Sequence, residues 1–322
     1  MSTSKVLTET SVIPAHKDAV TALEVFDYNN TEVLCSSSRD GRVLARNLRN
    51  NNAIIREFSK HSFYVNSMVI AKNANRIITA ESDKIGRIFD FNSQKSLVLK
   101  GHASDVLCSS VNFLENKIVT GSTDKNIYIW NTQGNLEGVI LHSVENGHSG
   151  WITCVDFKPS EENEIITGSF DGTIKIWDIE KKKLINTFFE GKLVNDKTVL
   201  VNDGTFSVKA LNISADGTFC AYGGNNGLVY IIDLNDNEMI ASFDTNNTIT
   251  SLAFGLTESI IACGTQDKIF LWDVPTNELL DTVDLSVYGK NCECMSLTWS
   301  GNTLFAGLKN GKIVSFEFFR KK

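Results

Sequence analysis

Residues 101–131 decide the fold, and they read GHASDVLCSSVNFLENKIVTGSTDKNIYIWN. The segment opens with Gly-His, passes through two short apolar runs and the turn Gly-Ser-Thr-Asp, and ends on Ile-Tyr-Ile-Trp-Asn. A second copy fills residues 147–178, opens with Gly-His and ends on Ile-Lys-Ile-Trp-Asp. The turn Asp precedes the last residue by 7 positions in both copies. Short β-branched runs bounded by Gly, Asn and Asp predict strands joined in hairpins, and the fixed spacing indicates an internal repeat.

Weaker copies of the unit fill the rest of the chain. The position of the Trp recurs at intervals of 40 to 55 residues, at Arg46, Phe89, Trp130, Trp177, Ile232, Trp272 and Phe316. This period is typical of WD repeats, each of which forms a four-stranded propeller blade. The sequence therefore predicts an all-β, seven-bladed WD-repeat β-propeller formed by a single domain, residues 1–322. We expect the blades at about 15–50, 60–92, 101–133, 147–180, 205–236, 247–275 and 292–318. The strand at 5–13 is expected to join the last blade and close the ring, because closure removes an exposed sheet edge.

The marker residues of the two clearest repeats have a predicted structural role. In WD repeats the His, a strand Ser or Thr, the turn Asp and the Trp form a hydrogen-bonded chain through the blade, which stabilises the fold when every member is paired. Two full sets are present: His102, Asp124 and Trp130, then His148, Asp171 and Trp177. A catalytic His–Asp pair is the alternative. Recurrence of the pair from blade to blade without an accompanying nucleophile favours the structural role.

Composition narrows the class of protein. No apolar run reaches 18 residues and no secretory signal opens the chain, so we expect a cytoplasmic protein without a membrane span. The seven cysteines lack disulfide or zinc spacing, and Cys292-Glu293-Cys294 alone is weak as a metal site. The Gly-rich stretch 223–227 precedes a strand and not a helix, which favours a hairpin turn over a phosphate-binding loop. No cofactor, metal or catalytic activity is expected.

Charge is distributed unevenly along the chain. The net charge is −7, but residues 39–100 hold 12 Lys and Arg against 5 Asp and Glu, a local excess of +7. Seven of the eight arginines lie in that stretch, within blades one and two. Arginine suits bidentate contact with phosphate, and screening hides the distant acidic charge. Aromatic residues for base stacking are few there, so backbone contact with RNA is expected without sequence readout. An ordinary solvated surface is the alternative.

The sequence resembles the family of the receptor for activated C kinase, whose members are G-protein β-subunit-like WD-repeat scaffolds of the small ribosomal subunit. The resemblance rests on stretches at 101–107, 123–132, 150–155, 219–224, 232–235 and 299–307. It implies binding to the head of the small (40S) subunit near the mRNA exit, through basic residues of the first blades that touch rRNA. It also implies contacts with neighbouring ribosomal proteins, and docking of translation factors and of kinases such as protein kinase C on other blades. No DNA partner is expected.

The family's blade-one motif is Ser-Arg-Asp-Lys, whereas this chain has Ser38-Arg39-Asp40-Gly41 and then Arg42. The Arg is kept, the Lys is lost, and Arg42 is a candidate replacement. The family's Arg on the following outer strand matches Arg56, and its second basic residue three positions later is Ser59 here, with Lys60 beside it. From the resemblance and the basic sector together we expect the rRNA contacts at Arg39, Arg42, Arg56, Lys60, Lys84 and Arg87.

Other features depart from the family. The blade-one Trp is Arg46 and the blade-two Trp is Phe89. The entry to blade five (191–206) is lengthened, and the loop at 286–291 is shortened. Partners that use those regions in the family are therefore in doubt.

The sequence is weighed against three rival classes: a G-protein β subunit, a chromatin or ubiquitin-ligase adaptor, and an enzyme. Some propellers hydrolyse substrates with carboxylates or a metal at the central channel, but no His, Cys and Asp cluster here has ligand spacing. A G-protein β subunit has a long N-terminal coiled-coil helix, but only about a dozen residues without heptads precede the first repeat here. Chromatin or ubiquitin-ligase adaptors often carry an additional recruiting domain, and the sequence predicts none here, which disfavours this class. A cytosolic signalling adaptor that does not bind ribosomes stably is the main alternative to the ribosomal scaffold.

Overall fold

A computed structural model gives the architecture, and it describes residues 6–58, 61–93, 95–159, 161–194, 197–201, 204–255 and 259–319. The described chain forms seven four-stranded antiparallel sheets and one two-stranded hairpin. Its described helical element is a short 3-10 helix, Leu285–Tyr288. Nearly every strand pairs with the next strand in the sequence, so each sheet is a simple meander.

The strands of the first four blades follow one another in sequence. Blade one contains β2 (Val20–Tyr28), β3 (Thr31–Ser38), β4 (Val43–Asn47) and β5 (Ala53–Phe58). Blade two contains β6 (Val65–Ala71), β7 (Arg76–Glu81), β8 (Ile85–Asp90) and β9 (Ser96–Lys100). Blade three contains β10 (Val106–Val111), β11 (Lys117–Ser122), β12 (Ile127–Asn131) and β13 (Leu136–Ile140). Blade four contains β14 (Ile152–Phe157), β15 (Glu164–Ser169), β16 (Ile174–Asp178) and β17 (Lys183–Phe188).

The remaining three blades include the strand from the N-terminus. Blade five contains β20 (Val208–Ile213), β21 (Phe219–Gly224), β22 (Leu228–Asp233) and β23 (Glu238–Asp244). Blade six contains β24 (Ile249–Phe254), β25 (Ile260–Thr265), β26 (Lys268–Asp273) and β27 (Glu278–Asp284). Blade seven contains β28 (Cys294–Ser300), β29 (Thr303–Leu308), β30 (Lys312–Phe318) and β1 (Leu7–Pro14).

The seven sheets form a closed ring. The innermost strand of each blade contacts the innermost strand of the next blade. These contacts run from β2 through β6, β10, β14, β20 and β24 to β28, and β28 contacts β2. The predicted seven-bladed propeller is therefore confirmed. The innermost strands surround a central channel, and the outermost strand of each blade lies at the rim.

The N-terminal strand closes the ring, as predicted. β1 pairs antiparallel with β30, with Val12 opposite Val314. The backbone N–H groups of Val6 and Leu7 donate to the same Asp281 carboxylate oxygen at 2.7 and 2.8 Å. Asp281 lies on β27, so the N-terminus is tied to blade six as well as to blade seven.

The core lies between blades. The second strands β7, β11 and β15 each bury five consecutive residues, because both faces of a blade are covered by its neighbours. Between blades one and two, for example, the ring of Phe58 packs against those of Phe89 and Phe91 at centroid distances of 5.6 and 5.5 Å. Each such layer buries one face of two blades and stabilises the ring through dispersion and apolar burial.

Strand direction alternates, so the connections fall on two faces. We call the upper face the one that carries the turn between the second and third strands of each blade and the connections between blades. The lower face carries the other two turns of each blade. The predicted hairpin turn at 223–227 joins β21 to β22 on the upper face, and its Gly227 has a φ of +80°, a conformation that favours glycine.

The lengthened entry to blade five contains an additional hairpin that the sequence analysis did not predict. β18 (Glu190–Val194) pairs antiparallel with β19 (Lys197–Val201). The hairpin forms a two-stranded sheet of its own, outside the seven blades.

Candidate functional site

Blade three contains a closed chain of polar contacts. Trp130 Nε1 donates to Thr120 Oγ1 at 2.9 Å, and the same oxygen lies 2.8 Å from His102 Nε2. His102 Nδ1 lies 2.8 Å from an Asp124 carboxylate oxygen. The ionised Asp124 carboxylate can only accept, so the Nδ1 that faces it carries a proton. In a neutral ring Nε2 is then an acceptor, and the Thr120 hydroxyl donates to Nε2 while it accepts from the indole N–H. Burial opposes ionisation of Asp124, but the hydrogen bonds from His102 and nearby N–H groups outweigh it and lower its pKa.

Blade four repeats this geometry. Trp177 Nε1 donates to Thr167 Oγ1 at 2.9 Å, His148 Nε2 lies 2.7 Å from that oxygen, and His148 Nδ1 lies 2.9 Å from Asp171. Burial lowers the pKa of His148 more than Asp171 raises it, so the neutral imidazole is favoured. The Thr hydroxyl that faces each His is almost fully buried and already bonded. These contacts fit the predicted structural role, because a buried hydroxyl cannot reach a substrate.

Blade one replaces the indole with a guanidinium. His16 Nε2 lies 2.8 Å from Ser36 Oγ, and His16 Nδ1 lies 3.2 Å from Asp40. Arg46, at the position of the Trp, is 7% exposed and donates to the carbonyls of Asn52 and Ala15 at 3.1 and 3.4 Å. Its aliphatic stem replaces part of the indole surface. Arg46 is therefore part of the blade interior and is not a surface contact.

Blade two has the most altered network, and it includes a predicted rRNA contact. The Arg87 guanidinium donates to buried Glu81 and lies 3.3 Å from Asp83, and its side chain is 13% exposed. His61 Nδ1 is 2.8 Å from a Glu81 oxygen, but neither ring nitrogen is aligned for a hydrogen bond. Burial and the Arg87 charge lower the pKa of His61 to about 4. Arg87 is thus committed to internal carboxylates and presents little surface to a ligand.

Two of the predicted contacts are exposed cations on the upper face. Arg39 lies in the turn between β3 and β4, where its backbone N–H donates to the Ala19 carbonyl at 3.0 Å. Lys84 lies in the equivalent turn of blade two, between β7 and β8, at the position of Gly41 in blade one, and its φ is +71°. Neither side chain makes a hydrogen bond or ion pair with the described part of the chain. Both charges are therefore available to an external anion.

Two other predicted contacts, Arg42 and Arg56, already bind groups of the protein. Arg42 makes a bidentate pair with Glu57 on β5, with N–O distances of 2.9 and 2.8 Å, and this contact lowers the pKa of Glu57. Arg56 points towards the lower face, donates to the carbonyls of Phe91 and Asn92, and lies 5.3 Å from the centroid of the Phe91 ring. Arg42 can be released at modest cost because its pair is exposed. Arg56 instead links blade one to blade two.

Lys60, the remaining predicted contact, lies outside the described residues. The sequence analysis did not single out Lys17, which is exposed on the upper face next to His16. Arg49, Lys72 and Lys95 were counted in the basic sector, and all three are exposed on the lower face. The basic sector is therefore divided between the two faces. Alternation of the connections along the meander would have assigned each residue to its face.

The described residues contain no group of three His, Cys, Asp or Glu side chains placed to hold a metal ion. The seven cysteines are free thiols, and burial raises the pKa of Cys154 and Cys294 to about 12. Deep thiols of this kind act as small apolar side chains.

None of the described helical structure is long and apolar enough to cross a bilayer.

Comparison with known proteins agrees with the geometry. The family described as "WD domain, G-beta repeat" matches residues 7–44, 93–131 and 138–178. The "Guanine nucleotide-binding protein subunit beta-like protein" of Encephalitozoon cuniculi is 37% identical over 94% of this chain and 94% of that protein. The "Small ribosomal subunit protein RACK1" of Schizosaccharomyces pombe is 32% identical over 92% of this chain and 93% of that protein. Identity at this level over almost the full length, on a seven-bladed ring, shows that the chain belongs to the RACK1 family of WD-repeat proteins.

Proposed function

We propose that this protein is a cytoplasmic, non-catalytic scaffold bound to the small ribosomal subunit. It lies on the subunit head near the mRNA exit and contacts rRNA phosphates through the upper face of blades one and two. The observation that carries the proposal is the pair of exposed, unoccupied cations Arg39 and Lys84 in equivalent turns of adjacent blades. The names of several relatives, which are small ribosomal subunit proteins, support the choice of partner.

The cations in the two turns contribute different kinds of phosphate contact. The planar guanidinium of Arg39 suits bidentate contact with a phosphate, whereas the ammonium of Lys84 acts as a point charge. Lys17 extends the same basic edge in the loop that enters blade one. Lys60 stays a proposed contact on the strength of the sequence alone. These contacts position the protein on the RNA backbone without reading its bases.

Arg42 acts as a reserve contact. Its pair with Glu57 is exposed, and exposed ion pairs contribute only about 0–1 kcal/mol, so a phosphate can replace the carboxylate. Arg56 and Arg87 have a different role in this proposal. They hold blade two in place beneath the binding edge, through the Phe91 carbonyl and the Glu81 carboxylate respectively.

The other blades present loops to neighbouring small-subunit proteins and translation factors. Docking of protein kinase C or another signalling protein belongs to the same proposal. A scaffold of this kind needs a rigid ring with variable loops, which the propeller supplies.

Co-sedimentation with purified small subunits over a salt series tests the proposal. The double variant Arg39→Ala/Lys84→Ala should lose affinity and should show a shallower dependence of binding on salt, by about 0.7–0.9 in slope for each lost phosphate contact. The matched control is Arg49→Ala/Lys95→Ala, which removes the same two residue types from the lower face. Equal losses in both variants would reject the upper face. Failure of the unaltered protein to sediment at low salt would favour the signalling adaptor instead.

A further inference from the structure

Two large aromatic side chains lie exposed and in contact on the upper face of blade four. Trp151 precedes β14, Phe170 lies in the turn between β15 and β16, and they are 50% and 53% exposed. Their ring centroids are 5.4 Å apart at an interplanar angle of 40°. Exposed aromatic pairs on a rigid surface are the side chains that most often dominate binding energy at interfaces.

The backbone beneath the pair is fixed. The N–H of Phe170 donates to the Trp151 carbonyl at 2.8 Å. A Cβ on Gly150 would lie 2.6 Å from the Asp171 nitrogen, so the loop and the turn are in direct contact. Asp171 is held in turn by His148 at 2.9 Å. The rings are therefore presented by ordered backbone, and little conformational entropy is lost when a ligand binds.

The fold does not require aromatic residues at these two positions. The same N–H to carbonyl hydrogen bond is described in six blades, and the paired residues elsewhere are mostly polar or charged. In donor–acceptor order these pairs are Arg39 and Ala19, Ser82 and Tyr64, Thr123 and Asp105, Asn225 and Ser207, and Lys309 and Glu293. Only in blade four, among these six, are both members aromatic. A surface pair that packing does not demand indicates a contact with another molecule.

The pair lies next to a strand that lines the central channel. Thr153, the second residue of β14, lines a cavity of about 390 Å³, and Trp151 directly precedes that strand. Its lining is rich in hydroxyl groups and includes two cations, Arg39 and Lys209, and no carboxylate among the described residues. Lys209 is exposed, and its ammonium makes no hydrogen bond or ion pair with the described chain. The cavity is therefore suited to an anionic group.

We propose that Trp151, Phe170 and Lys209 form a docking site for a peptide segment of a protein partner. The segment carries a large apolar side chain, which packs on the two rings, and a nearby Asp or Glu, whose carboxylate pairs with Lys209. None of these three residues is a proposed rRNA contact, although Arg39 lines the same cavity as Lys209.

The charges around the pair favour a peptide over RNA. The neighbouring upper-face loops and turns carry three carboxylates, Asp105, Asp124 and Asp171, against one lysine, Lys125, and this excess disfavours a continuous phosphate backbone. A peptide with one or two carboxylates can place them at Lys209 and avoid these groups. The two rings also contact each other, so a base has to separate them before it can stack between them.

Binding of defined peptides to the full-length protein tests this site. The probes are fluorescein-labelled synthetic peptides in which Phe or Leu is joined to Asp-Asp directly or through one to three Gly residues. Each acidic probe has an uncharged control, its Asn-Asn twin, in which Asn-Asn replaces Asp-Asp. We expect at least one acidic probe to bind better than about 1 mM in fluorescence anisotropy, and its Asn-Asn twin to bind more weakly. Trp151→Ala should weaken binding about 30-fold, the effect of removing an interface anchor. Lys209→Met should weaken it about fivefold at low salt and less at high salt.

The matched control is Phe113→Ala, which removes an equally exposed ring (53%) from the lower face and should leave binding unchanged. Melting curves confirm that each variant is folded. The proposal is overturned if no acidic probe binds, if the Asn-Asn twins bind equally well, or if Trp151→Ala has no effect. Oligouridylate that binds at Trp151 more tightly than any peptide would identify the pair as an RNA contact and would also overturn it. Because the free protein is used, failure here leaves the ribosome assay unaffected.

Discussion

Replacement of Thr120 by Val is expected to destabilise the protein through the blade-three network. Val has nearly the shape of Thr but lacks the hydroxyl. Packing is therefore conserved, while the hydroxyl that bonds both Trp130 and His102 is lost. The Trp130 N–H then loses its acceptor at 2.9 Å and His102 Nε2 loses its donor at 2.8 Å. Trp130 is 1% exposed and His102 is 7% exposed, so water cannot easily replace the lost partner.

The magnitude follows from the two orphaned groups. A buried polar group without a partner costs about 1–3 kcal/mol, so we expect the free energy of unfolding to fall by about 2–4 kcal/mol. For a chain of 322 residues the entropy of unfolding is about 0.7 kcal/mol per degree, and a loss of 3 kcal/mol lowers Tm by about 4 °C. Calorimetry and urea denaturation both measure this change.

The Trp130→Phe background supplies a sharper test. There the indole donor is already absent, so Thr120→Val should cost about 1 kcal/mol less than in the unaltered protein. Thr8→Val on the exposed edge strand β1 serves as a control and should change stability by less than about 0.5 kcal/mol. A loss below about 1 kcal/mol for Thr120→Val, or an equal loss in both backgrounds, would refute the network as a source of stability.

Three further predictions concern other parts of the ring. Burial raises the pKa of Asp156 on β14 to about 6, although Ser110 donates to it, so its contribution to stability is present below about pH 4 and is lost as the pH rises through 6. Asp156→Asn should therefore raise Tm at pH 7.5 and leave it unchanged at pH 4, as measured by calorimetry. Asp281→Ala should speed hydrogen exchange in β1, because its carboxylate holds two N–H groups at the start of that strand. Glu57→Gln should release Arg42 and strengthen sedimentation with small subunits about two- to fivefold, with little change in Tm.

The repeat pattern was sufficient to predict the ring, the number of blades and the closing strand. The two complete marker sets fixed the spacing, and the weaker copies followed it even where Arg46 and Phe89 replace the Trp. The prediction succeeded because every blade packs against its neighbours in the same way. The period of the repeat therefore predicts the order of the strands. The hairpin of β18 and β19 was missed because it lies outside the repeat and obeys no period.

The binding edge was harder to predict, because it depends on which charges are already paired. Arg42 and Glu57 meet through the pairing of β4 with β5, and Arg87 meets Glu81 through the pairing of β8 with β7. Neither pairing is visible in a count of charges. Arg56 contacts a different blade altogether, which depends on the angle between sheets. Exposure and pairing therefore reduce a cluster of seven arginines to a small set of free cations on each face.

Directed hydroxyl-radical probing of rRNA tests the central claim most directly. An iron–EDTA reagent is tethered through Lys84→Cys on the upper face or Lys95→Cys on the lower face, and the treated unaltered protein corrects for the native thiols. We predict cleavage of small-subunit rRNA near the mRNA exit from position 84 and little or none from position 95. Cleavage from position 95 alone, or from neither position when the protein is bound, would contradict it.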